Sequence, residues 1–188
     1  MMAIKRYFAK KDNTITNAFQ DNLITRGTGS NMGESDILET FSIYGQESSS
    51  SVELQRFLVE FNDSDINADR SSGILPASGN VSFYLKLYNA RHRETTPKDY
   101  TLDVLAVSAS WEEGIGLDME NYSDLTYNKH GSNWIKRSGS TSWVTEGGDY
   151  HASPSYTASF DVGNEDLILD VTGLVEEWLT GSSGGGKN

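Results

Sequence analysis

Carboxylates are the first chemistry this chain offers. Asp63-Ser-Asp65-Ile-Asn67-Ala-Asp69 sets side-chain oxygens at alternate positions, the spacing with which the first half of a calcium loop surrounds a hard cation. The second half of that pattern fails. Ala68 stands where a sharp-turn glycine belongs and Ile74 where the closing bidentate acid belongs, which excludes an EF-hand. Asp63, Asp65, Asn67 and Asp69 therefore read first as a solvated loop and second as a candidate metal site. Glu112, Glu113, Asp118, Glu120 and Asp124 form a further acidic cluster, with Glu146 and Asp149 downstream. Carboxylates this dense repel one another unless a cation or water separates them, so Asp118, Glu120 and Asp124 are candidate ligands for structural calcium. The same groups suffice in type for a glycosidase acid and base. With 27 acidic residues in the chain, suitable pairs arise by chance, and no catalytic residue is assigned.

Aromatic side chains crowd the same stretch. Trp134, Trp143, Tyr122, Tyr127 and Tyr150, with Trp111, lie in a long, glycine-rich and weakly periodic segment from Trp111 to Pro154. Two readings compete: rings that pin a long loop onto the body of the domain, and rings that form a platform for a sugar or a protein partner. His92, His130 and His151 are widely spaced among polar neighbours and read as surface histidines. There are no cysteines, so disulfides, thiolate nucleophiles and Cys-ligated zinc are excluded, and no His-Glu-x-x-His motif is present.

The elements that must hold these residues are strands. Gly is abundant at 18, Pro is only 3 and aromatic residues make up 11% of the 188, a composition of strands punctuated by turns. Alternation of apolar and polar residues predicts strands at 14–19, 36–44, 52–61, 81–89, 100–110, 155–162 and 165–170. One helix is expected near the end, capped by Asp170 or Thr172, with Leu174, Val175, Trp178 and Leu179 on its apolar face and Gly181 as its stop. Trp178 is expected in the core. Residues 182–188, Ser-Ser-Gly-Gly-Gly-Lys-Asn, read as a flexible tail.

Charge and hydropathy narrow the partners. The formal charge is −12, which repels a phosphate backbone and argues against nucleic acid. Met1 to Lys11 carries four cations but no apolar run, so neither a signal peptide nor a membrane anchor is expected. No segment approaches the roughly 20 apolar residues of a spanning helix.

The order of segments resembles the DNRLRE-type β-sandwich domains, a jelly-roll family related in shape to carbohydrate-binding modules. Asn31-Met32-Gly33 leading into Ile37-Leu38 is similar to that family's opening element, and Arg56-Phe57-Leu58-Val59-Glu60-Phe61-Asn62 resembles its Arg-x-Leu-x-x-Phe-Asp strand with Asn in place of Asp. Ile74-Leu75-Pro76 followed by Leu85-Lys86-Leu87-Tyr88-Asn89, then Trp111-Glu112-Glu113-Gly114, continue the order. The most specific match is Leu169-Asp170-Val171-Thr172-Gly173-Leu174-Val175-Glu176-Glu177-Trp178-Leu179, which looks like the family's strand-to-helix element. The family follows that helix with a last strand that has no counterpart before Asn188, so the resemblance implies either a chain cut short or an unfilled sheet edge that another chain completes.

Together these readings predict an all-β, jelly-roll β-sandwich as one domain over 1–181, with one short C-terminal helix and a long aromatic-rich loop. The resemblance implies a non-catalytic phage virion structural or decoration protein, assembled in the host cytoplasm, that binds other virion proteins or copies of itself. The alternative is a carbohydrate-binding module that takes a polysaccharide on the aromatic loop. No cofactor is required by either, structural calcium apart.

Overall fold

The computed structural model describes residues 4–20, 22–44, 52–91, 96–118 and 131–181. The class is all-β. Seven strands are β1 (Ala9–Thr16), β2 (Phe41–Tyr44), β3 (Val52–Phe61), β4 (Tyr84–Leu87), β5 (Tyr100–Val107), β6 (Tyr150–Phe160) and β7 (Leu167–Asp170), with helices α1 (Asp63–Ser71) and α2 (Thr172–Thr180). Each expected strand has a counterpart, and β3 has the expected bounds. Strand pairing among the described residues gives three antiparallel sheets, in the orders β1-β3-β2, β4-β7 and β5-β6. Among the described residues no helix is long and apolar enough to cross a membrane.

The chain divides into two compact units, each built from two separated stretches. The first comprises residues 1–61 and 109–149. Its sheet centres on β3, whose Phe57 faces Thr14 and whose Arg56 faces Ile15 across the β1 ladder. The inner half of β1 is fully buried but largely polar: Asn13, Thr14 and Thr16 flank Ile15, and all four are 2% exposed or less. The strand begins at Ala9 and not at the predicted Thr14 because its ladder with β3 runs on through Asp12↔Val59 and Lys11↔Glu60 to Ala9↔Phe61. A reading that takes burial from apolarity passes over Ala-Lys-Lys-Asp-Asn.

The second unit comprises residues 62–108 and 150–188. Its interior is apolar in the ordinary way, with Ile66, Leu75, Phe160, Leu167, Val171, Leu174 and Val175 buried. Tyr100 and Phe160 sit opposite each other on β5 and β6, their rings stacked at 4.9 Å and 4°. Helix α2 starts where the Asp170 carboxylate accepts from Thr172 N at 2.9 Å and Tyr156 Oη accepts from Leu174 N at 3.1 Å. These bonds satisfy two of the four amides that a helix N-terminus leaves open. It stops at Gly181, which takes a left-handed φ of 62°. Trp178, expected in the core, is half-buried.

Helix α1 was not expected. Residues Asp63 to Ser71 contain almost no apolar stripe, but Asp63 and Asp65 lie in the first turn and Arg70 in the last, which favours a helix electrostatically. Tertiary contacts do the rest. Ile66 is 4% exposed, and Arg70 grips Glu176 of α2 with two bonds of 2.7 and 3.3 Å. The Arg70 guanidinium holds the Glu176 carboxyl below the usual carboxylate range.

Candidate functional site

The long loop of the first unit is organised by buried amides. Asn31 is fully buried, and every polar group it has is engaged. Its Nδ2 donates to the carbonyls of Glu113 (2.6 Å) and Ser132 (2.8 Å), and its Oδ1 accepts from Gly33 N (3.2 Å) and Gly116 N (2.8 Å). Its backbone exchanges a reciprocal pair with Asp118: Asn31 N donates to Asp118 Oδ2 at 2.9 Å, and Asp118 N donates to the Asn31 carbonyl at 3.2 Å. The side chain thus ties residues 31–33 to 113, 116 and 132, and the Asn31 backbone adds Asp118. An Asn suits the task because it carries two donors and an acceptor on one short stem.

Asn13 extends the network from β1. Its Nδ2 donates to the Ser132 carbonyl and hydroxyl, both at 2.8 Å, and its Oδ1 accepts from Met32 N at 2.8 Å. Asn133 closes the far side, accepting from Ile135 N and Lys136 N on Oδ1 and from Trp143 Nε1 on its carbonyl. The strands of the loop approach so closely that side chains are excluded beside Asn31. At Gly131, with φ +94°, a Cβ would lie 2.6 Å from Asn31 Nδ2, so both the backbone conformation and the space demand glycine.

The acidic residues of this loop serve as amide acceptors in separate places. Glu113 accepts from Asp12 N (2.8 Å), Glu112 from Gly139 N (3.1 Å), and Asp149 from Val144 N and Thr145 N (2.8 and 2.7 Å). Burial and the nearby Glu113 carboxylate raise the Asp12 carboxyl above its usual range. Asp118, predicted as a metal ligand, is 3% exposed and joined to Asn31. Glu120, Asp124, Tyr122 and Tyr127 lie outside the described residues, as do His92 and His130. Among the described residues no group of three or more His, Cys, Asp or Glu is placed to hold a metal ion.

The solvated loop expected at Asp63, Asp65, Asn67 and Asp69 is corrected to helix α1. At about 100° per residue, Asp63 and Asn67 share one side of the helix and Asp65 and Asp69 the other, so the alternation that suits a calcium loop is dispersed. Trp134 and Trp143 are each 5% exposed and Trp111 is 3% exposed. They pack the loop and do not form a platform. Arg56 lies over the Trp134 ring at 5.1 Å while donating to the Gly147 carbonyl at 2.7 Å, and Lys11 lies over Trp111 at 4.5 Å while pairing with Glu60 at 2.7 Å. Tyr150 opens β6 in the second unit and is 49% exposed.

One surface available for contact is the outward face of the β4–β7 sheet. Leu85, Leu87, Leu167 and Leu169 turn inward, so Tyr84, Lys86, Ile168 and Asp170 turn outward. Tyr84 and Ile168 are each 60% exposed, and Tyr88, just beyond β4, is 69% exposed. Lys86 reaches Asp166 at 4.0 Å and lies 4.6 Å from the Tyr88 ring centre. Among the described residues the sheet has two strands, and β4 pairs with β7 alone. Sequence alternation predicted both strands but did not distinguish their outer faces as apolar.

Comparison with protein-family models, with curated proteins and with solved structures gives no match to this chain.

Proposed function

We propose that this chain is a non-catalytic structural or decoration protein of a tailed-phage virion, a jelly-roll-type β-sandwich module that acts by assembling with copies of itself or with other virion proteins. One observation supports it best. Among the described residues a two-stranded sheet presents Tyr84, Tyr88 and Ile168 to solvent beside a strand that pairs on one side only. Short, apolar-faced sheets of this kind are templates for added strands or packed neighbours. Asp118, Trp134 and Trp143, which sequence alone offered to a ligand, are instead buried inside the first unit. The resemblance of segment order to DNRLRE-type domains points the same way.

Sedimentation velocity of the full chain over a range of concentration tests the proposal. Growth to rings, filaments or a defined oligomer is expected. A strict monomer that binds a polysaccharide would overturn it in favour of a carbohydrate-binding module.

A further inference from the structure

One carboxyl of the first unit stands apart from the others. Among the described residues of that unit, Glu53, Glu60, Glu113, Asp118 and Asp149 are buried or half-buried, and each accepts from a backbone amide or a lysine. Asp12 is half-buried as well, but among the described residues no donor reaches its side chain. Its backbone amide donates to Glu113 Oε1 at 2.8 Å, which sets a second carboxyl against it where a cation would relieve it. Neither group can retreat. Asp12 is fixed in β1 opposite Val59. The Glu113 carbonyl accepts from Asn31 Nδ2 at 2.6 Å, and a Cβ at Gly33 would lie 2.5 Å from that same oxygen, so the Glu113 backbone is packed against backbone. The neighbouring charges are committed elsewhere: Lys10 and Lys11 both reach Glu60, Lys11 also donates to the Trp111 carbonyl, Glu112 accepts from Gly139 N and Arg137 donates to Ser110.

We propose that Asp12 and Glu113 form a proton-operated latch between β1 and the long loop: one proton held by the pair closes it, and loss of that proton sets two like charges against the bond from Asp12 N. Two carboxyls fixed side by side without a cation take up a proton more readily than either does alone. Ionised or protonated, Glu113 keeps an oxygen that accepts from the Asp12 amide, so the proton changes the strength of the contact and not its geometry. Burial, and after it the Glu113 charge, raises the Asp12 carboxyl above its ordinary 3.8. The closed form therefore holds its proton over a range of pH in which an open form has lost it. Closure is favoured as pH falls toward 3.8, and the gain is absent above the folded-state value. That sign is opposite to the one at Glu176, whose ion pair with Arg70 fades in acid.

Amide hydrogen exchange of the full chain tests the latch, with the Asp12 N–H read against the Met32 N–H, whose acceptor, the Asn13 side-chain amide, does not titrate. From about pH 7 to about pH 4, protection at Asp12 should rise relative to Met32, by up to about tenfold for each pH unit by which the Asp12 midpoint exceeds 3.8. Asp12→Asn should hold the contact shut, with high protection at residue 12 that no longer responds to pH. Glu113→Gln keeps an oxygen for the Asp12 amide and removes the charge, so the rise should shrink and the Asp12 carboxyl, followed by carbon-13 shift, should titrate at lower pH. Circular dichroism checks that both variants keep the parent fold, and the parent's own titration decides the matter if one does not. Protection at Asp12 that stays level or falls in acid, or an Asp12 midpoint at or below 3.8, overturns the proposal. So does a rise that Glu113→Gln leaves intact, which would assign the effect to burial of Asp12 alone.

Discussion

The two units solve the same problem, holding loops and strands together, with opposite materials. In the first unit the fully buried side chains are Asn13, Thr14, Ile15, Thr16, Asn31, Ser132 and Asn133. The buried residues of the second unit are apolar and less completely enclosed, with Leu167, Val171, Leu174 and Val175 each 4–8% exposed. An apolar interior tolerates exchange between residues of similar volume, because burial is non-directional. A polar interior does not, because each removed donor or acceptor leaves a partner stranded away from water. The difference teaches where the molecule is specified residue by residue and where it is specified only by pattern.

Substitutions at matched positions break the comparison most sharply. Asn31→Ala strands the amides of Gly33 and Gly116 and removes the donor to the Glu113 carbonyl, so a loss of about 4 kcal/mol is expected in urea unfolding. The near-isosteric Asn31→Asp should be similarly damaging, since it buries a charge and loses both donated bonds. Leu174→Met in the second unit should cost less than about 1.5 kcal/mol. A tolerated Asn31→Asp beside a ruinous Leu174→Met would reverse the contrast.

Gly131→Ala comes next, at about 3 kcal/mol, because it combines an unfavourable positive φ with a close approach to Asn31. Leu174→Ala should cost about 2–4 kcal/mol through the cavity it leaves. Both are measurable by the same unfolding titration.

Smaller is Glu176→Gln, expected to cost about 1–2 kcal/mol at neutral pH through the charged bonds from Arg70. The sign with pH is fixed by the lowered Glu176 pKa. The contribution is present above the ordinary glutamate value of 4.5 and disappears as pH falls through the folded-state value. The difference between parent and variant should therefore shrink in acid, and a difference that grows there would contradict the ion pair. Smallest of all is the response to calcium. Among the described residues no group of three or more carboxylates is placed to hold a metal ion, so millimolar calcium should leave the melting temperature unchanged, whereas a resident site at 100 times its Kd would add about 2.7 kcal/mol.

Much of the second unit was legible in the sequence. Alternation located β4 to β7, and Asp170, Thr172, the leucine-valine stripe and Gly181 marked α2. The first unit was legible only where it is apolar. Val52 to Phe61 announced β3, but Asn13 and Thr14 gave no sign of being core, since hydrophobic pattern is blind to a buried amide. Asn31 stood out only through its place in Asn31-Met32-Gly33. The signal that could have found its role is the recurrence of glycine at 33, 114, 116 and 131, which marks backbone packed against backbone. Helix α1 escaped because its stability comes from Ile66 and the Arg70–Glu176 pair, neither of which has a local pattern. The tryptophans were visible, and burial decided between their two readings.

The side chains of Asn13 and Asn31 hold a loop without regular structure as firmly as a strand is held. Amide hydrogen exchange of Met32, Gly33 and Gly116 measures it directly, because those three N–H groups are accepted by the two asparagine side chains. They should exchange as slowly as amides in the β1–β3 ladder. Exchange at the rate of an open loop would contradict the account.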